Sequence, residues 1–238
     1  MQIKYLNVNK IAWIVLLAGT LAGCKKDHDT KAASACQIIG MRDTMNNTTN
    51  ELTYNSNGKL SNLVQGSLLT TYDYADNKVI ITQTEGGTLI SKTTAVLNTA
   101  GLAVNVYTET PQTGIAWRNV LHEYAGQQIV KTTTTTADGS PAEITTYQWS
   151  DGNLISAVTG ADTATYGYYL DKPTQPGDYL SIGQKLQGYE QIRAKNLFKS
   201  IGDNTFSYGF GPDGKISSIR SVFGGATIFD YVYQFKCN

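Results

Sequence analysis

Asn57-Gly58-Lys59-Leu60, Asp151-Gly152-Asn153-Leu154 and Asp213-Gly214-Lys215-Ile216 repeat one short phrase. Each copy follows a run that carries an aromatic residue (Tyr54, Trp149, Phe210). Each leads into a run with a second apolar residue five places after the glycine (Leu63, Ala157, Ile219). Asn-Gly and Asp-Gly pairs tolerate the positive φ of a tight hairpin, so the phrase reads as strand, turn, strand. A less regular fourth copy begins at Ala100-Gly101-Leu102. Beyond each glycine comes a tyrosine-bearing run: Tyr72-Asp73-Tyr74, Glu123-Tyr124, Tyr166-Gly167-Tyr168 and Tyr231-Val232-Tyr233. Residues two apart share one face of a strand, so each Tyr-x-Tyr sets two rings side by side.

Outward from these copies the same grammar continues. Asp76-Asn77, Gly86-Gly87, Asp138-Gly139 and Gly224-Gly225 are further turn pairs. Runs such as 78–84, 129–136 and 226–235 are heavy in Thr, Tyr, Val and Ile, which suit a pleated surface. The spacing of the turns gives the expectation of an all-β antiparallel meander of about 10–12 strands, and open twisted sheets of that size curl. The sheet is read as a strongly curled open sheet or partial barrel. Residues 131–136 are polar on both faces, which suits a sheet wetted on both sides. One stretch breaks the pattern, 170–205, with Pro173, Pro176 and the basic residues Lys185, Arg193, Lys195 and Lys199. It is read as a capping excursion, with one short helix or loop insertion near 185–200.

The first 24 residues belong to targeting, not to the fold. Lys4 and Lys10 precede an apolar run, Ile11 to Gly23, that is too short to span a bilayer as a stable helix. It ends in Leu21-Ala22-Gly23-Cys24, which resembles the lipobox of bacterial lipoproteins and implies acylation of Cys24. Three parts are expected: a signal peptide over 1–23, the lipidated Cys24 with a polar tether over 24–50, and a β-meander over 51–238. The implied location is the cell envelope, as an outer-membrane-anchored lipoprotein whose membrane contact is the lipid. Without Lys4 and Lys10 the 19 basic and 19 acidic residues become 17 and 19, so no basic surface calls for nucleic acid.

With Cys24 lipidated, Cys36 and Cys237 remain. Two readings stay open: a disulfide in an oxidising compartment, or a tether thiol and a free thiol near the terminus.

Catalytic signals are sparse. His28 and His122 are the two histidines, and His122 sits beside Glu123 in a strand-like run. No phosphate loop, nucleophile elbow or zinc-ligand spacing is present, so no metal, cofactor or catalytic residue is assigned. Trp117, Trp149, Tyr166 and Tyr168 are candidates for a ring-stacking platform for a glycan, with core packing as the plainer reading.

The tyrosine pair, the Asn/Asp-Gly turn and the following Leu or Ile resemble the YD repeat of Rhs-type proteins. The chain is also similar to an uncharacterised lipoprotein family of Bacteroidota, a domain of unknown function. Cys24, Lys25-Lys26-Asp27, the three turns and Lys195–Ile201 carry that likeness. The resemblance implies an all-β envelope protein and transfers no catalytic residue. Asp43-Thr44-Met45 and Asp162-Thr163-Ala164 resemble the O-glycosylation signal of exported Bacteroidota proteins, which implies Thr44 and Thr163 as acceptors; a tether residue and a turn explain them equally. The expected function is a non-enzymatic structural or binding role, with a glycan or an envelope protein as partner. A glycan-handling accessory protein is the alternative, and a hydrolase comes last.

Overall fold

The structure is a computed structural model that describes residues 36–111 and 117–237. Sixteen strands follow one another: β1 (Cys36–Asp43), β2 (Thr48–Tyr54), β3 (Leu60–Gln65), β4 (Leu68–Ala75), β5 (Lys78–Glu85), β6 (Thr88–Leu97), β7 (Ala103–Glu109) and β8 (Trp117–Ala125) form the first half. The second half is β9 (Gln128–Thr136), β10 (Glu143–Ser150), β11 (Asn153–Thr159), β12 (Asp162–Pro173), then helix α1 (Tyr179–Gln187), and β13 (Asn196–Ile201), β14 (Asn204–Phe210), β15 (Ile216–Phe223) and β16 (Ala226–Cys237). Every strand pairs antiparallel with its neighbour in sequence, and β1 pairs with β16 to close the barrel. Closure removes both sheet edges, which an open meander would leave exposed. The Sγ atoms of Cys36 and Cys237 lie at bonding distance, 1.99 Å, and join β1 to β16 across this seam.

The meander has two ends. Cys36, Cys237, the turns at 55–59, 76–77, 98–102, 126–127, 151–152 and 211–215, and the excursion 174–195 lie at one, the plugged end. The turns at 44–47, 66–67, 86–87, 137–142, 160–161, 202–203 and 224–225 lie at the other, the far end. The strand count exceeds 10–12 because turns such as Gly66-Ser67, Gly126-Gln127, Gly160-Ala161 and Gly202-Asp203 are built on one glycine each. They carry no Asn-Gly or Asp-Gly pair to announce them.

The repeated phrase has a structural meaning beyond its turn. In the 55–59 turn, Asn55 Oδ1 accepts from the backbone N–H of Asn57 and Lys59. In the 98–102 turn, Asn98 Oδ1 accepts in the same way from Ala100 and Leu102. Gly58, Gly101 and Gly214 hold φ of +74°, +79° and +77° in three five-residue turns, so the irregular copy at Gly101 is a full member. Asp151-Gly152 instead makes a tight two-residue turn, with φ of +49° and +82°.

After these turns the two apolar positions are three apart, not two: Leu60 and Leu63, Leu154 and Ala157, Ile216 and Ile219. Both members of each pair are buried. A β-bulge between them supplies the extra residue and keeps both on the inner face. The same shift recurs near the plugged end of β1, β7, β9 and β13. Bulges sharpen local twist and bend, which lets a sheet this long close on itself.

The inner face changes character along the barrel. Near the plugged end and the middle it carries the buried core, including Leu52, Tyr72, Val79, Val120, Phe198, Phe206 and Tyr233. Toward the far end the inward positions become Thr93, Thr108, Arg118, Thr134, Thr136, Thr145, Thr159, Glu143 and Asp162, half-buried and then exposed at the mouth. Adjacent threonines bond laterally, Thr93 to Thr108 at 2.8 Å and Thr145 to Thr159 at 2.6 Å.

Two expectations need correction. Residues 36–50 are not tether: they form β1, its turn and the start of β2, and β1 gains its place by pairing with β16, a partner almost 200 residues away. The helix is Tyr179–Gln187, earlier than the expected 185–200, because Asp178 caps its start and Gly188, at φ +82°, ends it. Residues 196–201, placed in the insertion, are β13. The signal peptide, Cys24 and His28 lie outside the described residues.

Candidate functional site: the plugged end of the barrel

The excursion 174–195 is held by the wall on several sides at once. Asp178 is the N-cap of α1, and its Oδ1 accepts from Leu180 N–H at 2.8 Å and Ser181 N–H at 3.2 Å. Its Oδ2 accepts from Phe198 N–H of β13 at 2.8 Å, so one carboxylate ties helix to wall. The side chain is 1 % exposed. Burial pushes its pKa up, against the pull of the three backbone N–H donors. Tyr179 then stacks on Phe206 at 4.0 Å, and Ile182 enters the same core cluster as Leu52 and Val120.

Tyrosine hydroxyls latch the two flanks of the excursion. Tyr233 of β16 donates to Gly177 O at 2.8 Å, and Tyr72 of β4 donates to Leu186 O. Gly188 sits against the Tyr72 ring, where an added Cβ would lie 2.7 Å from Cδ1. Glu190 O accepts from Ala103 N–H of β7 at 2.8 Å. Arg193 is a three-way clip: its guanidinium donates to Glu190 Oε2 (2.8 Å), Gln127 Oε1 (2.8 Å) and Ala100 O (2.9 Å). At the base of the excursion, Asn153 and Asn196 exchange hydrogen bonds at 2.9 and 3.0 Å. Asn153 stands where the phrases at Gly58 and Gly214 have lysine, and here the turn is met by the excursion, Lys195 N–H donating to Gly152 O.

Aromatics at the plugged ends of the strands bond back to the preceding strand. Tyr54 donates to Ile38 O (2.5 Å), Tyr124 to Ala103 O (2.7 Å), Trp149 Nε1 to Ile129 O (2.7 Å) and Tyr208 to Phe198 O (2.7 Å). These carbonyls stand beside the bulges, where the ladder leaves them in need of donors.

Of the aromatics proposed for ligand stacking, Trp149 is committed to that backbone bond, and Tyr166 and Tyr168 pack on Phe198 at 6.1 and 5.5 Å. Trp117 faces outward and stacks on Tyr107, 6.1 Å between centroids. Thr44 lies in the β1–β2 turn with its hydroxyl on Asp230 O at 3.2 Å, and Thr163 is exposed on β12. Both are at the far end. His122 is 8 % exposed inside the barrel, with Nδ1 on Thr132 Oγ1 at 3.0 Å and no hydrogen-bond partner for Nε2 among the described residues. Burial, with Arg118 nearby, pushes its pKa down to about 4, so it is neutral at pH 7. No group of three or more His, Cys, Asp or Glu among the described residues is placed to hold a metal ion.

Between the excursion and the β2–β7 side of the wall lies a cleft of about 670 Å³. Leu60, Leu97, Leu180 and Ile192 line it, with Lys59, Tyr74, Gln184 and Lys185. The Lys59 ammonium lies 4.8 Å from the centre of the Tyr74 ring, and Lys185 lies 5.1 Å from that of Tyr54. Gln184 Oε1 accepts from the N–H groups of Gln191 and Ile192 and so shapes the cleft's outer lip. Asp178 and Gln184 were not singled out in the sequence, and Tyr72 and Tyr233 were read as paired rings on a strand, not as latches. Pro176-Gly177-Asp178 before an apolar run was the available signal, a helix start.

Compared with known proteins, the chain matches no family model and no curated protein. Among solved structures it is similar to a porin-like protein from Bacteroides uniformis ATCC 8492, with a TM-score of 0.56 and 18% identity, over 86% of this chain and 98% of that one. The two share the fold of a closed antiparallel barrel. At that identity the likeness speaks for the architecture and is silent on what passes or binds.

Proposed function

We propose that the chain is a non-enzymatic lipoprotein of the bacterial cell envelope, held to the outer membrane by acylated Cys24, whose barrel stands in water and binds rather than conducts. The observation that carries this reading is the outer wall. A membrane-spanning barrel turns an apolar band about 25 Å tall toward lipid. Here the outward positions include Arg42, Glu51, Asp73, Lys92, Glu123, Lys131, Arg220 and Asp230, and exposed ion pairs join Arg220 to Asp230 and Lys131 to Glu123. Placing such charges on the lipid face costs about 2–4 kcal/mol each near the midplane for Arg or Lys. The excursion closing one end also disfavours a pore.

A glycan-handling role keeps one supporting feature, the outward Tyr107–Trp117 stack. A drop in affinity for an immobilised glycan panel in Trp117→Ala would favour it.

The test of the main reading has two arms. Metabolic labelling with an alkyne fatty acid should mark the wild-type chain, and Cys24→Ala should abolish the mark and release the protein from membranes in soluble form. Purified wild-type protein should give no conductance steps in a planar bilayer. A Cys24→Ala chain that stays integral after alkaline extraction, or stepwise conductance, overturns the proposal.

A further inference from the structure

We infer that the cleft at the plugged end binds an amphiphilic anion, its phosphate or carboxylate head between Lys59 and Lys185 and its apolar portion on Leu60, Leu97, Leu180 and Ile192.

The cations of this region divide into two kinds. Arg193 is spent on fastening, with its hydrogen bonds to Glu190, Gln127 and Ala100, and Lys215 pairs with Asp213 at 2.9 Å. Lys59 and Lys185 make no ion pair among the described residues, and each lies over a tyrosine ring instead. Those rings, Tyr54 and Tyr74, belong to β2 and β4, the two neighbours of β3. Both ammonium groups therefore stand over the same patch of wall, and both border the cleft. Stacking on a ring is a weaker companion than a carboxylate, and it leaves the outer side of the ammonium open to an anion. Burial also lowers the pKa of Lys185, a strain that a neighbouring anion would relieve.

The rest of the lining decides the class. A bare inorganic anion would satisfy the lysines and leave the half-buried Leu97, Leu180 and Ile192 wet. A neutral apolar molecule would cover the aliphatics and take water from the half-buried Lys185 ammonium without supplying a counter-charge, an unfavourable exchange. A molecule with an anionic head and an apolar body meets both demands, and about 670 Å³ is within the usual range of ligand pockets. The source follows from chain length, and only this step rests on the anchoring reading. From Cys24 to Cys36, which lies at the plugged end, twelve peptide steps reach about 40 Å at most. Lipids of the anchoring membrane are thus within range of the cleft, and an anionic phospholipid is the occupant.

The test is native mass spectrometry of the full chain released from a neutral detergent. It is presented in turn with dihexanoyl phosphatidic acid, dihexanoyl phosphatidylcholine and inorganic phosphate. One phosphatidic acid should be retained per chain, at least tenfold more than phosphatidylcholine, with inorganic phosphate not retained. Lys59→Gln with Lys185→Gln should reduce that retention at least tenfold. Equal retention of the two lipids, equal retention of inorganic phosphate, or undiminished retention by a folded double variant overturns the inference. Should the double variant not fold, the wild-type head-group preference decides alone. The same spectra show any covalent lipid on Cys24 as a separate mass, so failure of the anchoring reading is distinguishable from failure of the cleft.

Discussion

The two ends of this barrel are made from the same hairpins and behave as different materials. At the plugged end, bulges turn two apolar residues inward after each long turn, and tyrosine and tryptophan donors find backbone carbonyls. The excursion 174–195 then fills the space with Tyr179 and Ile182. At the far end the turns are mostly short, the ladder runs without most of those bulges, and many inward positions between β6 and β12 are polar, with two pairs of threonines bonded across neighbouring strands. One end is cemented by burial and the other by lateral hydrogen bonds between wall positions. A ladder of hairpins therefore fixes the shape of the wall, while what stands inside it decides where stability concentrates.

That contrast can be broken or sharpened by mutation. The largest effect belongs to the seam at the plugged end. Replacing Cys36 with Ser opens a loop of 201 residues, which on a chain-entropy estimate removes about 5 kcal/mol. Urea denaturation of the oxidised protein should show it, and a midpoint unchanged from wild type would mean that strand pairing alone secures the seam. Next comes Asp178→Ala, which removes the helix cap and leaves the buried Phe198 N–H unpaired, for a loss of about 3 kcal/mol. Asp178→Asn should recover part of it, since an amide oxygen still accepts.

The ends can also be compared with one substitution type. Gly188→Ala meets Tyr72 at a positive φ and should cost about 2–3 kcal/mol, whereas Gly66→Ala at the far end has a positive φ and open space and should cost about 1 kcal/mol. Equal costs would show that the excursion does not press on the wall. His122 sits where the two regimes meet. Its pKa is about 4 in the folded chain against about 6.5 unfolded, so the unfolded state takes the proton first and stability falls as pH drops from 6.5 toward 4. The loss should reach about 2 kcal/mol at pH 4.5, and His122→Gln should flatten the curve in that window. Smallest is the far-end pair: Thr145→Val with Thr159→Val removes both ends of one hydrogen bond and should shift stability by less than about 1 kcal/mol.

Much of the wall was legible, and the reasons for the rest are physical. Asn57-Gly58 and Asp213-Gly214 announced their turns through a backbone demand that few residues meet. The three-residue spacing of Leu60 and Leu63 was also visible, and it encodes a bulge for any reader who expects a period of two. β1 was missed because its partner is at the other end of the chain. The start of α1 was missed because its cap sits behind Pro176 and its apolar contacts come from strands far away in sequence. The cleft was hidden for the same reason: Lys59 belongs to a turn phrase and Lys185 to the excursion, and only closure of the barrel brings them to one space.

The seam between β1 and β16 also sets an order of events in time. Every other strand pairing joins neighbours in sequence and can form as the chain emerges, hairpin upon hairpin. The first strand has nothing on its outer side until the last one arrives, and sequence-distant pairings are the slow ones. Until the last strand arrives, any sheet already formed keeps two unpaired edges, each a template for wrong partners. The seam makes completion all-or-none: a chain truncated before β16 is expected to stay sticky, however well its first fifteen strands have formed.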